Sequence, residues 1–189
     1  MDQPYIIELG CGTTKMEGAI GVDRLPLPGV DIVADVEKGL PFLKDNSVDK
    51  IYSNHFFEHI SNFEFLIKEI HRVLKKEGCL YLRVPHFSNP YFYSDYTHQR
   101  FFGLYTFDYF SNPKKQLRRK VPSFYGELKF VVVRRKMIFK STFLIRGIFK
   151  HRIIQPLVNF SSYTQELYEE MFCYLIPCQE IYFEIKPDK

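Results

Sequence analysis

The 189-residue chain has no tryptophan, and its four cysteines, Cys11, Cys79, Cys173 and Cys178, form no Cys-x-x-Cys pair. Zinc-ribbon and dithiol redox spacings are therefore excluded, and reduced thiols in a cytoplasmic protein are the plain reading. No apolar run approaches the roughly 18 residues of a membrane span. Met-Asp-Gln-Pro leads straight into a strand, which predicts that there is no signal peptide. Internal repeats and low-complexity segments are absent too. Acid is scarce in the second half. Residues 1–85 carry 10 Lys/Arg against 13 Asp/Glu, and residues 86–189 carry 16 against 9. Thirteen of those bases lie between Lys114 and Arg152, where Glu127 is the one acid. Such asymmetry hints at an anionic partner or substrate.

What is present is a soluble, globular composition, 46% hydrophobic and 25% charged, with 19 Phe and 13 Tyr. The length suits one domain spanning residues 1–189. Tyr5-Ile6-Ile7-Glu8-Leu9 reads as a buried strand, and Gly10-Cys11-Gly12 as a tight turn whose backbone can approach a ligand. Ala19 to Val22 is a second strand, ending on Asp23, where a carboxylate can accept both hydroxyls of a ribose. Strand, Gly-x-Gly, strand, acid is the nucleotide-binding logic of open α/β sheets; a tight turn between strands is the plainer alternative.

Further along, the pattern predicts a third strand over Val30–Val36 and a fourth over Val48–Ser53. A capping box, Ser61-Asn62-Phe63-Glu64, opens a helix with Phe63, Leu66, Ile67, Ile70, Val73 and Leu74 on one face, stopped near Gly78. Cys79–Val84 is a fifth strand. From His86 to Glu127 periodicity lapses into an aromatic insertion with a short helix near Thr106–Phe110. Leu128–Phe139 reads as a long strand or a hairpin broken at Arg134-Arg135-Lys136. Tyr163 to Leu175 is an amphipathic helix, and Ile181, Phe183 and Ile185 mark the closing strand. Only Gly10 to Gly18 separates the first two strands, so the first crossover helix must be vestigial.

Glu8-x-Gly10-x-Gly12 with Asp23 resembles the first motifs of class I S-adenosylmethionine-dependent methyltransferases, of small-molecule type. Asp35 with Gly39-Leu40-Pro41-Phe42, then Asn46 to Ile51, His55 to His59 and Ile70 to Gly78 extend the resemblance over residues 5–85. It implies an α/β, doubly wound, mostly parallel seven-stranded sheet whose last strand is antiparallel. It also implies a cofactor-binding half over 1–85, a substrate-side insertion over 86–127, and closing strands and helix over 128–189. By the same resemblance S-adenosylmethionine is the cofactor. Asp23 would hold its ribose, the Glu8–Gly10–Cys11–Gly12 turn its methionine moiety, Asp35 and Val36 its adenine, with Asn54 and His55 flanking it.

His55-x-x-Glu58-His59 also matches the inverted zinc-protease motif. The cap at Ser61 places both histidines before the helix, so no metal is expected. In the insertion, Asp95-x-x-His98 could supply a base for an O–H or N–H acceptor, or form a structural pair. The expected activity is methyl transfer to a small, or lipid- or sugar-linked, acceptor. One alternative is an RNA or protein methyltransferase using the basic 114–152 region, although no RNA-binding module signature is visible. The other is a non-catalytic binding module built on the same fold.

Overall fold

The computed structural model describes residues 4–189. The Met1–Gln3 segment, read above as entering the first strand without a leader, lies outside the described residues. Short apolar runs form β1 (Ile6–Leu9), β2 (Ile20–Asp23), β3 (Ile32–Val33), β4 (Val48–Asn54), β5 (Leu74–Pro85), β6 (Phe130–Ile138) and β7 (Glu180–Pro187). They join in one sheet of order β3-β2-β1-β4-β5-β7-β6. The neighbours from β3 to β5 pair in parallel, and β7 runs antiparallel to both β5 and β6. The α/β sheet with an antiparallel last strand is thus as expected. Strand order reverses between β1 and β4, and such a switch point opens a crevice beyond the carboxyl ends of the strands.

No helix fills the first crossover. Residues 10–19 make turns zipped to β2, with the Gly10 N–H donating to the Val22 carbonyl at 2.8 Å. Helix α1 (Phe63–Val73) buries Leu66, Ile67, Ile70 and Val73. Removing four such side chains from water contributes roughly 6–12 kcal/mol, which chain entropy largely offsets.

Three local expectations are corrected, and one open alternative is decided. The third strand shrinks to two residues, because the Asp35 carboxylate accepts the Glu37 N–H and starts a 3-10 turn at Val36–Lys38. The capping box does not form: the Ser61 hydroxyl donates to Gln99 Oε1, and the Glu37 carboxylate takes the Ser61 and Asn62 N–H groups instead. The helix ends at Val73, and the Lys75–Gly78 segment opens β5; a Cβ at Gly78 would stand 2.9 Å from the Val48 carbonyl oxygen. Leu128–Phe139 holds one strand rather than a hairpin, with a register shift between Val132 and Arg134.

The insertion carries 3-10 turns at Pro90–Ser94, Thr106–Phe110 and Pro113–Lys115. Its aromatics pack inward through Phe92, Phe102 and Phe107. Beyond β6 the chain forms α2 (Leu144–Phe149), a π turn (Lys150–Ile154) and α3 (Gln155–Val158), none of them foreseen, and then α4 (Ser162–Met171). All four cysteines are buried and free. No helix among the described residues is long and apolar enough to cross a membrane.

Candidate functional site

A cavity of about 480 Å³ lies at the carboxyl ends of β1, β2 and β4, lined among others by Gly10, Asp23, Asp35, Val36 and His55. That volume is within the range of small-molecule sites. Gly10 has φ +67°, a conformation open to glycine, and a Cβ there would stand 2.3 Å from the Phe56 ring. The backbone therefore meets the cavity directly, with Phe56 as its wall.

The remaining predicted cofactor residues stand behind the lining. Glu8 is buried and accepts the Met16 N–H at 2.6 Å, which ties down the loop that replaces the crossover helix. Cys11 is buried, and burial pushes its thiol pKa up. Gly12, at φ +54°, donates its N–H to Asp23 Oδ2 at 3.0 Å. Asp23 Oδ1 accepts the Leu25 N–H at 3.0 Å, so both of its oxygens are oriented by backbone donors. Each oxygen retains a second lone pair for a ligand hydroxyl. Asn54 ends β4 and is exposed.

His55 has φ +50°, and its ring stands between Glu58 and Glu180, the first residue of β7. Its Nε2 lies 3.4 Å from Glu180 Oε1 and its Nδ1 3.4 Å from Glu58 Oε1. Glu180 first and Glu58 second raise the imidazole pKa to about 9, against the opposing effect of burial. Burial alone would raise the Glu180 carboxyl, but His55 and Lys140, 2.7 Å away, bring it down to about 2. At neutral pH His55 is a cation held between two carboxylates, not a base.

His59, also in the lining, sits at the end of a 3-10 turn (Phe57–His59) before α1. The zinc-protease arrangement, two histidines one turn apart on a helix, is not formed. Glu58 is 1% exposed and neither carboxylate oxygen has a hydrogen-bond donor. Glu58, His59 and His98 each offer a ligand atom within 4.8 Å of the others.

The Asp95–His98 pair is brought together, with His98 Nε2 3.5 Å from Asp95 Oδ2, but His98 is not in the cavity lining. Its Nδ1 lies 3.0 Å from the Phe92 carbonyl, and its ring packs on Phe92 and His59. Asp95 instead reaches the cavity through Thr97. The Thr97 hydroxyl is 2.6 Å from Asp95 Oδ1 and 2.9 Å from His59 Nδ1. A carboxylate only accepts, so Thr97 donates to Asp95 and His59 donates from Nδ1. In the neutral imidazole this places the proton on Nδ1 and the lone pair on Nε2. Thr97 was missed in the sequence, where only a fold can join residue 97 to residue 59.

A larger groove, about 920 Å³, opens between the insertion and α4, with Arg118, Arg119, Tyr163 and Glu166 in its walls. It has no part of the glycine turn or of the acids that end β2 and β3. The basic run is largely engaged within the chain: Lys115 pairs with Asp188, Arg134 with Glu184, and Arg135 with buried Asp108. Arg118 and Arg119 lie over the Tyr163 and Tyr105 rings.

Residues 11–82 match the family model described as "Methyltransferase domain". No curated protein matches the chain significantly. Among solved structures, a SAM-dependent methyltransferase from Archaeoglobus fulgidus is 16% identical, with TM-score 0.54 over 98% of this chain and 86% of that one. The YcgJ protein of Bacillus subtilis is 17% identical, with TM-score 0.51 over 98% and 90%. A methyltransferase in complex with the Trm112 activator, from Haloferax volcanii, is 15% identical, with TM-score 0.52 over 97% and 82%. By its strand order and these matches, the chain has the fold of the class I methyltransferases, whose cofactor is S-adenosylmethionine.

Proposed function

We propose that the chain transfers a methyl group from S-adenosylmethionine to an O–H or N–H acceptor held between the cavity and the 86–127 insertion. The observation that carries this reading is Asp23. It is a backbone-oriented carboxylate at the end of β2, facing a cavity floored by a glycine turn. The residues present fit the cofactor. Asp23 would hold the ribose hydroxyls, Asp35 and Val36 the adenine, and the Gly10 backbone the methionine moiety. When bound, the cofactor supplies an electrophilic methyl on a sulfonium.

His59 is the base in this reading: its free Nε2 takes the acceptor's proton. Asp95 and His98 are positioning residues, Asp95 through Thr97 and His98 by packing against the His59 ring. Protonated His55 balances the charge of Glu58 and Glu180. Tyr96 of the insertion lines the same cavity, and in this reading its ring would shield the sulfonium from water. The acceptor is small, or carried on a lipid or sugar. Lys115, Arg134 and Arg135 of the basic run are taken up by internal ion pairs, which counts against RNA as acceptor.

Calorimetry with S-adenosylhomocysteine tests the reading. One-to-one binding that fails in Asp23→Ala supports it. No binding by the folded wild-type chain would leave a scaffold without the cofactor.

A further inference from the structure

The face formed after β6 suits an anionic lipid surface. Residues 144–158 run as one continuous helical rod through α2, the π turn and α3. A π turn rotates less per residue than an α turn, which keeps residues four apart in line. Ile145, Phe149, Ile153 and Leu157 recur at that spacing and all are exposed, as are the flanking Leu144 and Phe160. Ile145 and Phe160 are each 84% exposed. Apolar side chains this large, contiguous and open to solvent are rare on a soluble monomer.

The rod is fixed to the body by its other side. The buried Lys150 ammonium donates to the Pro177 carbonyl at 2.5 Å. The Phe139 N–H donates to Gln155 Oε1 at 2.9 Å, and Asn159 Nδ2 donates to the Met137 carbonyl at 2.7 Å. Val158 is buried. The exposed apolar row is thus presented by a seated helix.

Charge selects the partner. No Asp or Glu occurs between Glu127 and Glu166. Arg146 and Arg152, at the flanks of the apolar row, have no carboxylate partner among the described residues, whereas Lys115, Arg134 and Arg135 of the 114–136 run are ion-paired. Apolar rows flanked by arginines are the signature of helices that lie in the headgroup region, with the bases reaching the phosphates. A second copy fits poorly, because a two-fold contact of this segment would set arginines against arginines, and the segment itself holds no acid.

Position supports the same partner. β6 runs parallel to β5, so the rod leaves the sheet at the carboxyl edge, where the cavity lies. Lys140, just before it, pairs with Glu180, and Thr142 Oγ1 lies 3.5 Å from the Tyr91 hydroxyl of the insertion. Tyr96 of the cavity lining, and Tyr91 and Tyr93 earlier in the same insertion, are exposed rings suited to the same interfacial depth.

We infer that residues 143–160 seat the protein on an anionic lipid bilayer, with the cavity mouth beside the headgroups. The test is co-sedimentation of the full chain with vesicles of phosphatidylcholine alone and of equal phosphatidylcholine and phosphatidylglycerol. The chain should sediment with the mixed vesicles and stay in solution with the neutral ones. Arg146→Gln/Arg152→Gln should lower partitioning roughly 25-fold. Ile145→Ser/Phe149→Ser/Ile153→Ser should lower it about 100-fold or more. All five side chains face solvent, and circular dichroism checks the fold; should the triple variant unfold, the arginine pair decides. Wild-type chain left in solution with mixed vesicles overturns the inference. So does undiminished sedimentation of the variants. A wild-type dimer by light scattering that the triple variant splits, without vesicle binding, would assign the face to a second copy. S-adenosylhomocysteine affinity, read in parallel, should be equal in all variants, so failure here is separable from failure of the methyltransferase reading.

Discussion

The Thr97 hydroxyl stands 2.9 Å from His59 Nδ1 and joins two segments 38 residues apart at the wall of the cavity. Because Thr97 also donates to Asp95, the neutral imidazole carries its proton on Nδ1. His59→Ala should lower turnover by about 10²–10⁴-fold, the usual range for a general base. S-adenosylhomocysteine affinity should change little. Thr97→Val and Asp95→Asn should each lose part of that rate and move the apparent pKa of kcat/KM. Their double variant should lose no more than the worse single one, because the residues act in series. A pH profile unmoved by all three would make the chain of bonds structural.

Asp23→Ala should weaken cofactor binding by about 2–3 kcal/mol, roughly 30–150-fold. Asp23 also receives the Gly12 and Leu25 N–H groups, so the thermal midpoint should fall too. Asp23→Asn keeps one accepting oxygen and should lie between. Equal affinities in folded proteins would remove the ribose assignment.

His55 gives a pH dependence of stability. Its pKa is raised in the folded state from the ordinary 6.5 to about 9. Protons are therefore held more tightly by the folded chain, and the stabilisation is fully present below about 6.5. It is lost as pH rises through about 9. Urea midpoints measured from pH 6 to pH 10 should fall across that window in the wild type. In His55→Asn that component of the slope should be missing; an identical slope would place the titration elsewhere.

Purified protein should contain no stoichiometric zinc. The motivation is that protonated His55 already supplies the counter-charge that buried Glu58 requires. Elemental analysis is the check. One zinc per chain, lost in Glu58→Gln or His98→Ala, would convert the Glu58, His59 and His98 cluster into a metal centre.

Gly10→Ala should destabilise the chain by about 1–2 kcal/mol from the left-handed backbone alone. The added methyl would also stand 2.3 Å from Phe56. Phe56→Ala in the same chain should recover the steric part and leave the backbone part. Full recovery, or none, by denaturant titration would contradict that division.

The local sequence determined the strands, the glycine turn and the acid at the end of β2. These depend on short-range facts: apolar runs of strand length, glycine's access to positive φ, and the nine residues too few for a crossover helix. That the sheet has seven strands with the last antiparallel was implied by the resemblance over residues 5–85, whereas the strand order is set by the pairing in the fold. Where a competing long-range partner existed, local reasoning failed. Ser61 turned to Gln99 and Glu37 took over the helix cap. The Lys75–Gly78 segment became an irregularity within β5, because Leu74 and Cys79 on either side of it pair with Val48 and Lys50 of β4. The rod over 144–158 escaped notice because its apolar residues face outward, so hydrophobic patterning, which reports burial, had no buried stripe to follow. The grouping of His59, Thr97 and Asp95, and the placing of His55 against Glu180, were decided by tertiary structure alone. Hydrogen bonds between residues 38 and 125 apart depend on where the sheet brings its carboxyl ends, and no local spacing encodes that.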